Sequence, residues 1–319
     1  MEIFKIELQN FCLKSDIMRL TIANSGCGLG DMLGRIDLIY KICQKYNYIF
    51  FMPEIRSNLH SINYGNSLGF NNYMPNRISW SGDIQLISLS VFLNENDMVR
   101  LSKNKNILYE VVFDYSISDN INKALNLEKY NSLDYTPYLQ LPKISESFDY
   151  LVHLRLGDNY IYHIKNELYL DAGRRRIVTF YEDALEELIA KQWNLSDLSI
   201  MIEYFERKGL SYYFISDGIN SVIRHINWTK SEDYEYNKHN MLSSVNSFDR
   251  DMKNSIGTNK NFLVDSEDVG LAISYLFAST NVICTTGGFM RHVNRYLNNS
   301  KCNIINYPEF IKQIKTNAN

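Results

Sequence analysis

The sequence predicts a two-domain α/β protein, and three observations support that class. The chain has 319 residues, which is enough for two hydrophobic cores of ordinary size. In both halves, short apolar segments of strand length alternate with longer segments whose apolar residues recur at helical spacing. A polar stretch with Pro137 and Pro142 separates the halves, so we place the boundary near residue 145 and predict domains over 1–145 and 146–319. Such alternation is typical of mostly parallel sheets, which bind ligands at the carboxyl ends of their strands.

The first half begins with a predicted strand, a glycine loop and a helix. In residues 17–24 apolar and polar side chains alternate and branched side chains are frequent, which predicts a strand. Residues 25–30 form the loop. From Met32 to Cys43 the apolar residues recur with helical period. Further strands are expected at 48–52, 84–93 and 107–113, and a long loop at 57–82.

The second half repeats the alternation. A strand is predicted at 148–155, a helix opens with a capping box at Thr179, and a second helix runs from about Asp197 to Gly209. The polar stretch 229–261 has no period and reads as an insertion. The remaining expected elements are a strand at 212–215, a helix at 267–279, a strand at 281–285 and a helix over 289–298 with Arg291 and Arg295.

Composition excludes several classes of function. A net charge of −3 with pI near 6.1 gives no electrostatic basis for nucleic-acid binding. No apolar run approaches the length of a spanning helix, and the N-terminus lacks a signal-peptide pattern. The five cysteines are scattered and form no CxxC pair, which argues against a disulfide framework or a zinc site. We therefore expect a cytoplasmic protein, with at most peripheral association at the inner face of the membrane.

The segment His153-Leu154-Arg155-Leu156-Gly157-Asp158 is the strongest candidate for chemistry. An arginine at the carboxyl end of a strand lies where open α/β sheets bind ligands. Its forked donors match two diphosphate oxygens at once. Gly157 permits a sharp turn, and Asp158 is placed to orient Arg155 or the loop. The alternative is a surface ion pair between Arg155 and Asp158.

The pattern His-x-Arg-x-Gly-Asp resembles the first motif of the α1,2- and α1,6-fucosyltransferases and of their protein O-fucosyltransferase relatives. Those families usually have His-x-Arg-Arg, and their first arginine holds the phosphate of GDP-fucose. Arg155 matches that arginine, whereas Leu156 replaces the second. The resemblance therefore implies donor binding by the segment from His153 to Asp158.

Two later segments resemble further motifs of the same families, in the same order. Residues 213–217 resemble their strand followed by an acid, here Asp217. Residues 265–297 resemble their last motif, in which hydroxyl and backbone donors contact the nucleotide phosphates. On this chain those positions are Thr285, Thr286, Gly287, Gly288 and Phe289. Asp265 or Asp268 would read guanine, and the alternative for either is capping of the helix at 267–279.

The glycine loop near the N-terminus also resembles one in these families, with Cys27 and Asp31 where they often have Gly and Asn. Gly26, Gly28 and Gly30 would let an acceptor-side loop approach the donor sugar closely. Asp31 is then a candidate general base for the acceptor hydroxyl. A first-turn helix acid is the alternative reading of Asp31.

The same loop has a competing interpretation as a dinucleotide site. Gly28, Gly30 and Gly34 follow a predicted strand, and Glu54 ends the next one, where a ribose-binding acid is expected. The spacing is GxGxxxG instead of GxGxxG, and the dinucleotide reading leaves Arg155 and its motif unexplained.

The resemblance implies a GT-B fold, with two Rossmann-like domains facing across a cleft. Residues 1–145 would hold the acceptor and residues 146–319 the nucleotide sugar. The expected activity is an inverting transfer of fucose from GDP-fucose to a glycan in surface polysaccharide synthesis, with no cofactor. No metal is expected, because Asp249-Arg250-Asp251 lies in the polar insertion and Glu267-Asp268 begins a helix. The alternatives are another nucleotide sugar on the same fold, or an NAD-dependent dehydrogenase or nucleotide-binding module.

Overall fold

The computed structural model describes the chain in segments, and the chain divides into two compact units. The first unit comprises Met1–Gln140 with Arg291–Asn299, and the second comprises Leu141–Met290 with Ser300–Asn319. The division therefore falls at Gln140, and a stretch near the C-terminus returns to the first unit. The described residues are 17–23, 29–53, 55–57, 62–63, 80–104, 106–135, 139–154, 161–164, 167–170, 174–176, 194–216, 242–243, 246–247, 250–254, 261–263, 268–284, 288–297 and 302–316.

The first unit is built on a parallel sheet. In chain order its elements are β1 (Arg19–Ile22), α1 (Leu29–Tyr46), β2 (Ile49–Phe50), β3 (Arg56–Ser57), β4 (Ile62–Asn63), β5 (Asp83–Ser88), α2 (Glu95–Ser102), β6 (Ile107–Val112) and α3 (Tyr115–Ala124). The sheet has the order β2-β1-β6-β5, and each neighbouring pair in it is parallel. Strands β3 and β4 form a separate antiparallel pair within the region predicted as a loop.

Helix α1 packs an apolar face on this sheet. Its buried apolar side chains recur at helical spacing, as at Leu33, Ile36 and Ile39, which have no exposed surface. Asp31 in the first turn and Lys45 in the last turn suit the helix dipole. The helix ends before Asn47, which has a left-handed φ of 55°.

Polar side chains of α1 hold the segment that follows α3. Lys41 Nζ lies 2.8 Å from Asp37 Oδ2 in a buried ion pair, and Asp37 Oδ1 also accepts from the Leu133 amide at 3.3 Å. Lys45 Nζ donates to the Leu125 carbonyl at 2.8 Å. These contacts give buried charges satisfied partners, which is the condition for burying them at all.

The second unit contains a five-stranded parallel sheet. In chain order the elements from here on are β7 (Phe148–Leu154), β8 (Ile161–Ile164), β9 (Glu167–Leu170), β10 (Arg174–Arg176), α4 (Leu195–Lys208), β11 (Tyr212–Ser216), β12 (Phe262–Leu263), α5 (Val269–Phe277), β13 (Ser279–Cys284), α6 (Gly288–Leu297), β14 (Asn303–Asn306) and α7 (Tyr307–Thr316). Helix α6 begins in the second unit at Gly288, and from Arg291 onward it belongs to the first unit. The order β12-β11-β7-β13-β14 is parallel throughout. Counted along the chain this is 3-2-1-4-5, the order of a Rossmann sheet.

Aromatic packing dominates the core of the second unit. The rings of Phe205, Tyr212 and Phe310 join α4, β11 and α7, with centroids 5.0 to 5.8 Å apart. Tyr307 donates its hydroxyl to Asp197 Oδ2, and Lys315 Nζ reaches Asp197 Oδ1 at 2.9 Å. The C-terminal helix is therefore fixed to the start of α4 by both apolar and charged contacts.

The α/β class with parallel sheets in both halves is confirmed, with local differences from the sequence prediction. The strand expected at 84–93 ends at Ser88, because the Ser88 hydroxyl accepts from the Ser90 amide at 3.2 Å and caps a 3-10 helix, Leu89–Leu93. Helices α2, α3 and α7, strand β14 and the antiparallel sheet β10-β9-β8 are not among the elements predicted from the sequence. The helix predicted from Thr179 lies outside the described residues. Within the described part of the chain, no helix is both long enough and apolar enough to cross a membrane.

Candidate functional site

The carboxyl edge of the second sheet brings three strand ends together. Leu154 ends β7, Ser216 ends β11 and Cys284 ends β13. Leu154 pairs with Ser216 across one side of β7, and Cys284 pairs with His153 across the other. The three ends are thus level to within about one residue, or roughly 3.3 Å. The three segments predicted to bind the donor contain these strand ends.

The direction in which successive strands are added to the sheet reverses between β7 and β13. The chain goes from β7 to β11 and then β12 on one side, whereas β13 and β14 lie on the other side of β7. Open α/β sheets bind ligands in the crevice outside the strand ends at such a reversal. The gap between the ends of β7 and β13 is therefore the candidate site.

The strand ends at this edge are rigidly held. Leu154 and Ile283 are at most 1% exposed, and both belong to the apolar core of the unit. Ser216, equally buried, donates its hydroxyl to the Leu154 carbonyl at 2.8 Å. This bond satisfies a buried acceptor at the last residue of β7 and ties that residue to β11. A site on such a support is held more precisely than one on a free loop.

His153 is a buried member of the sheet. It precedes the last residue of β7, pairs with Ile215 on one side and Cys284 on the other, and is 8% exposed. The sequence analysis assigned it to the donor site. Its position in the sheet puts it directly below the edge, where it supports the segment that follows.

Asp268 caps helix α5. Its Oδ1 accepts from the Leu271 amide at 3.1 Å, and the side chain is exposed. The geometry thus has the capping arrangement that was the alternative to guanine binding. Only Ala278 separates α5 from β13 in the chain.

Helix α6 starts four residues after β13 ends. Gly288 is its first residue, and Met290, Val293 and Leu297 anchor it in buried positions. Free N–H groups in the first turn of a helix favour an anion. The backbone of Phe289 lies in this turn. The start of α6 therefore suits a phosphate group close to the strand end.

The glycine loop of the first unit leads straight into α1. Leu29 is the first helical residue, so Gly30 lies buried in the first turn and not in the loop. Asp31 is exposed in the same turn. Gly34 is one turn further on, and a Cβ atom there would be 3.7 Å from Tyr296 Oη of α6, an ordinary contact distance.

An arginine that the sequence analysis did not consider lies at the carboxyl edge of the first sheet. Arg35 of α1 is 6% exposed, and its guanidinium carbon is 5.0 Å from the ring centroid of Phe113, which directly follows β6. Arg35 lies four residues after Asp31, so the sequence already indicated that both residues share one face of the helix. Arg35 is packed into the unit as a core residue.

Several residues assigned to the site lie outside the described part of the chain. They are Gly26, Gly28, Arg155, Gly157, Asp158, Asp217, Asp265, Thr285, Thr286 and Gly287. Within the second unit the described residues of the site are His153, Asp268, Gly288 and Phe289, whereas Gly30 and Asp31 belong to the first unit. Among the described residues no group of three or more His, Cys, Asp or Glu side chains has an arrangement that would hold a metal ion.

Thiols flank the last two strands of the second sheet. Cys284 and Cys302 are buried thiols. Burial, and to a smaller extent the nearby Cys284, raise the pKa of Cys302 from its ordinary value of 9.0 to about 11. The Cys302 thiol is therefore neutral at physiological pH and behaves as a small apolar side chain.

Comparison with known proteins does not assign the chain to a family. No family model, no curated protein and no solved structure matches it. Its function is therefore inferred from its own residues and from the geometry described above.

Proposed function

We propose that this protein is an inverting, metal-independent glycosyltransferase of the GT-B arrangement, which transfers fucose from GDP-fucose to a glycan acceptor in surface polysaccharide synthesis. One observation supports the proposal most strongly. The three segments that resemble fucosyltransferase motifs contain the carboxyl ends of β7, β11 and β13, which are adjacent parallel strands with level ends. Motifs far apart in the sequence would then act on one ligand at the strand-order reversal.

The donor diphosphate would be held from two sides of the gap between β7 and β13. Arg155 directly follows β7 and would meet two phosphate oxygens through its forked donors. Thr285, Thr286 and Gly287 directly follow β13 and lead to the start of α6, whose N–H groups attract an anion. Asp158 would orient Arg155, and Asp217, after β11, would border the donor sugar.

Asp265 is the better of the two candidates for binding guanine. A carboxylate reads the N1 and N2 donors of guanine with both oxygens, in a fork like that of an arginine pair. Asp268 already accepts the cap bond of α5 on one oxygen, which leaves it less suited to a two-point contact. Asp265 lies three residues earlier in the chain.

The reaction would be a single displacement. The acceptor hydroxyl oxygen attacks the anomeric carbon, the bond from that carbon to the β-phosphate oxygen breaks, and GDP departs with the bonding electrons. Asp31 of the first unit is the candidate base for the hydroxyl proton, since it is exposed in the first turn of α1 beside the glycine loop. Arg155 would stabilise the negative charge that grows on the leaving phosphate.

Two alternatives are each favoured by one observation. A different nucleotide sugar is favoured by the engagement of Asp268 as a helix cap, which removes one of two candidates for guanine recognition. A dinucleotide site in the first unit is favoured by the β1-α1-β2 order with parallel strands, because that is the unit that binds dinucleotides.

A thermal-shift panel separates these possibilities. GDP, UDP, CMP, ADP and NAD are added separately to the full chain in the presence of EDTA. We expect GDP to stabilise the protein by about 2.7 kcal/mol at 100 times its dissociation constant. Stabilisation by UDP or NAD, with none by GDP, would show that the fucosyltransferase proposal is wrong.

A further inference from the structure

The exposed apolar side chains are concentrated in one segment of the first unit. In the described part of the chain, the large apolar residues that are exposed all belong to the segment from β5 through α2 to β6. They are Ile84, Leu86, Leu93, Val99 and Val112, with exposed fractions from 42% to 61%. The described part of the second unit has none. Single exposed apolar residues are common, but a concentration of them marks an interaction surface.

Strand β5 contributes to this surface because it lies at an edge of the first sheet. Among the described residues it pairs with β6 alone, and only Ile87 of its six residues is buried. Ile84 and Leu86 alternate along the strand and share one face of the sheet with Val112, which is paired with Ser88. Strands of a parallel sheet are normally buried on both faces, so the exposure of β5 is unusual for this type of sheet.

Helix α2 is fixed to the first unit by its buried side. Met98 and Leu101 are buried, and the Leu101 carbonyl accepts from the Tyr109 hydroxyl of β6 at 3.0 Å. Asn94 caps the start of the helix, since its side-chain oxygen accepts from two backbone amides of the first turn. The helix is therefore a firm support for the side chains that it exposes.

Glu95, Val99 and Lys103 form an exposed row on α2. They recur every four residues, and Lys103 keeps helical dihedral angles at the C-cap, so the three lie along one side of the helix. Val99, in the middle, is 54% exposed, and each charge is about 6 Å from it along the helix axis. Asp97 and Arg100 pair with each other at 3.3 Å, whereas no ion pair joins Glu95 or Lys103 to another described residue.

This row is complementary to a second copy of itself. When two α2 helices meet in antiparallel orientation about a two-fold axis at Val99, Glu95 faces Lys103 of the partner subunit, and the two valines meet at the axis. Identical chains commonly form closed dimers through such self-complementary contacts. Rows of residues four apart are also the ridges that interlock in the commonest class of helix packing.

The helix dipole offers a competing explanation for the two charges. An acidic residue in the first turn and a basic residue at the end of a helix are stabilising in a monomer. The dipole gives no reason, however, for an exposed valine midway between them. Other occupants of the row fit less well, because a lipid surface would meet Glu95 beside Val99 and a neutral glycan would leave both charges without partners.

We propose that the segment from β5 to β6 is the interface of a homodimer, centred on the row Glu95-Val99-Lys103 and the same row of a second copy. The acid, the apolar residue and the base are arranged symmetrically, so one chain carries both members of each ion pair. The inference concerns the first unit alone and does not depend on the nucleotide or on the reaction.

The test measures the oligomeric state of the full chain by sedimentation velocity over a range of protein concentrations. The variants are E95K, K103E, the charge exchange E95K with K103E, and V99E. Glutamate has a higher helix propensity than valine, so V99E should not disrupt α2. The matched control is E203K, a charge reversal at an exposed position of helix α4 in the second unit. Melting temperatures of all variants show that they are folded.

We expect the wild-type protein to form a species of twice the chain mass of 37.3 kDa. E95K and K103E should each raise the dimer dissociation constant about tenfold or more, because like charges then meet at both ends of the contact. V99E should do the same, since it places two carboxylates at the axis. The charge exchange should restore dimerisation to within about threefold of wild type, because both ion pairs form again in reverse. E203K should equal wild type.

Three results would overturn the inference. A wild-type protein that stays monomeric at every concentration has no such interface. A dimer that is unaffected by E95K and V99E uses a different surface. Single variants that lose the dimer, with no recovery in the charge exchange, would show that Glu95 and Lys103 do not face each other across a two-fold axis.

Discussion

The two parallel sheets lie among different kinds of buried side chain. The described part of the first unit buries five charged residues, at Arg19, Arg35, Asp37, Lys41 and Glu110. The second unit buries one in its described part, Asp197, and packs aromatic rings around its sheet instead. Both sheets are parallel, so strand direction does not explain the contrast.

This difference between the two units indicates which charged side chains could bind a ligand. In the first unit the buried charges have internal contacts, since Arg19 lies over Trp80, Arg35 over Phe113, and Lys41 on Asp37. In the second unit the buried side chains of β7 and β11 are mostly apolar or aromatic. The ionisable residues Arg155 and Asp217 directly follow these two strands in the sequence. Charged groups beyond a rigid strand end can meet a ligand, whereas charges packed in a core stabilise the fold.

The largest effect that would test this contrast is at Arg155. Arg155→Lys keeps a positive charge but loses the two-point contact, so we expect donor-sugar hydrolysis to fall about 100- to 1,000-fold with little change in melting temperature. Turnover should fall more than GDP affinity, because only contacts that strengthen in the transition state accelerate the reaction. Steady-state hydrolysis of GDP-fucose and titration with GDP measure the two quantities.

Arg35→Lys is the matched comparison for that experiment. It alters an arginine at the carboxyl edge of the other sheet, one packed against Phe113. We expect a lower melting temperature and unchanged GDP affinity. If Arg155→Lys behaves in the same way as Arg35→Lys, Arg155 is a structural residue and the contrast between the sheets does not hold.

Local features of the sequence predicted part of this arrangement. Helix α4 was expected from about Asp197 to Gly209 and is observed over Leu195–Lys208, with Asn194 as its N-cap and Gly209 ending it at a left-handed φ of 65°. Helix α7 was missed, although Phe310, Ile311 and Ile314 recur at helical spacing. It is a ten-residue helix, and tertiary packing against α4, more than helix propensity, stabilises such short helices.

The candidate site was predictable only as a set of separate segments. The sequence indicates that ligand residues follow strands, but the pairing of β7 with both β11 and β13 is a long-range property of the sheet. The Ser216 bond to Leu154 depends on that register, so no local pattern indicates it. The cap bond of Asp268, by contrast, joins residues only three positions apart, and helix capping was one of the two interpretations of Asp268 from the sequence.

Alkaline pH provides a second, smaller test of the apolar character of the second sheet. Burial raises the pKa of Cys302 to about 11, so the folded state keeps its proton after the unfolded chain has lost it. The stabilisation is complete below pH 9 and is lost as pH rises from 9 to 11. Two pKa units correspond to about 2.8 kcal/mol, and solvent screens part of this effect because the thiol is not fully buried. We therefore expect about 1–2 kcal/mol of unfolding free energy to disappear over this range.

Urea unfolding at pH 8, 9, 10 and 11 measures that loss, and Cys302→Ala is the control. The variant should be less stable than wild type at pH 8 because of the cavity, yet the difference should narrow as pH rises. A difference that stays constant across the range would mean that Cys302 titrates normally in the folded protein.

Ser216→Ala should lower the free energy of unfolding by about 1–2 kcal/mol. The substitution leaves the Leu154 carbonyl, buried at the end of β7, without the hydroxyl that donates to it. Ser274→Ala is the matched control, because that buried hydroxyl donates at 2.9 Å to the carbonyl of Gly270, one turn earlier in the same helix. Removal of the Ser274 hydroxyl should lower the free energy of unfolding by less, since helical carbonyls already accept a hydrogen bond from the backbone. Equal losses would show that the β7–β11 bond has no special structural role.

The smallest effect is expected at Gly34, and it decides between the two readings of the glycine loop. A dinucleotide site needs its third glycine for close helix packing, whereas Gly34 has room for a methyl group 3.7 Å from Tyr296 Oη. Gly34→Ala should therefore stabilise the protein by about 0.5–1 kcal/mol, the ordinary gain from replacing glycine within a helix. GDP affinity should stay unchanged, because the proposed donor site lies at the other sheet. Gly209→Ala is the contrasting variant, since its left-handed φ of 65° disfavours a side chain and should make alanine destabilising there. Urea unfolding of both variants, with GDP and NAD titrations, gives the answer: destabilisation by Gly34→Ala together with weakened NAD binding would favour the dinucleotide site in the first unit.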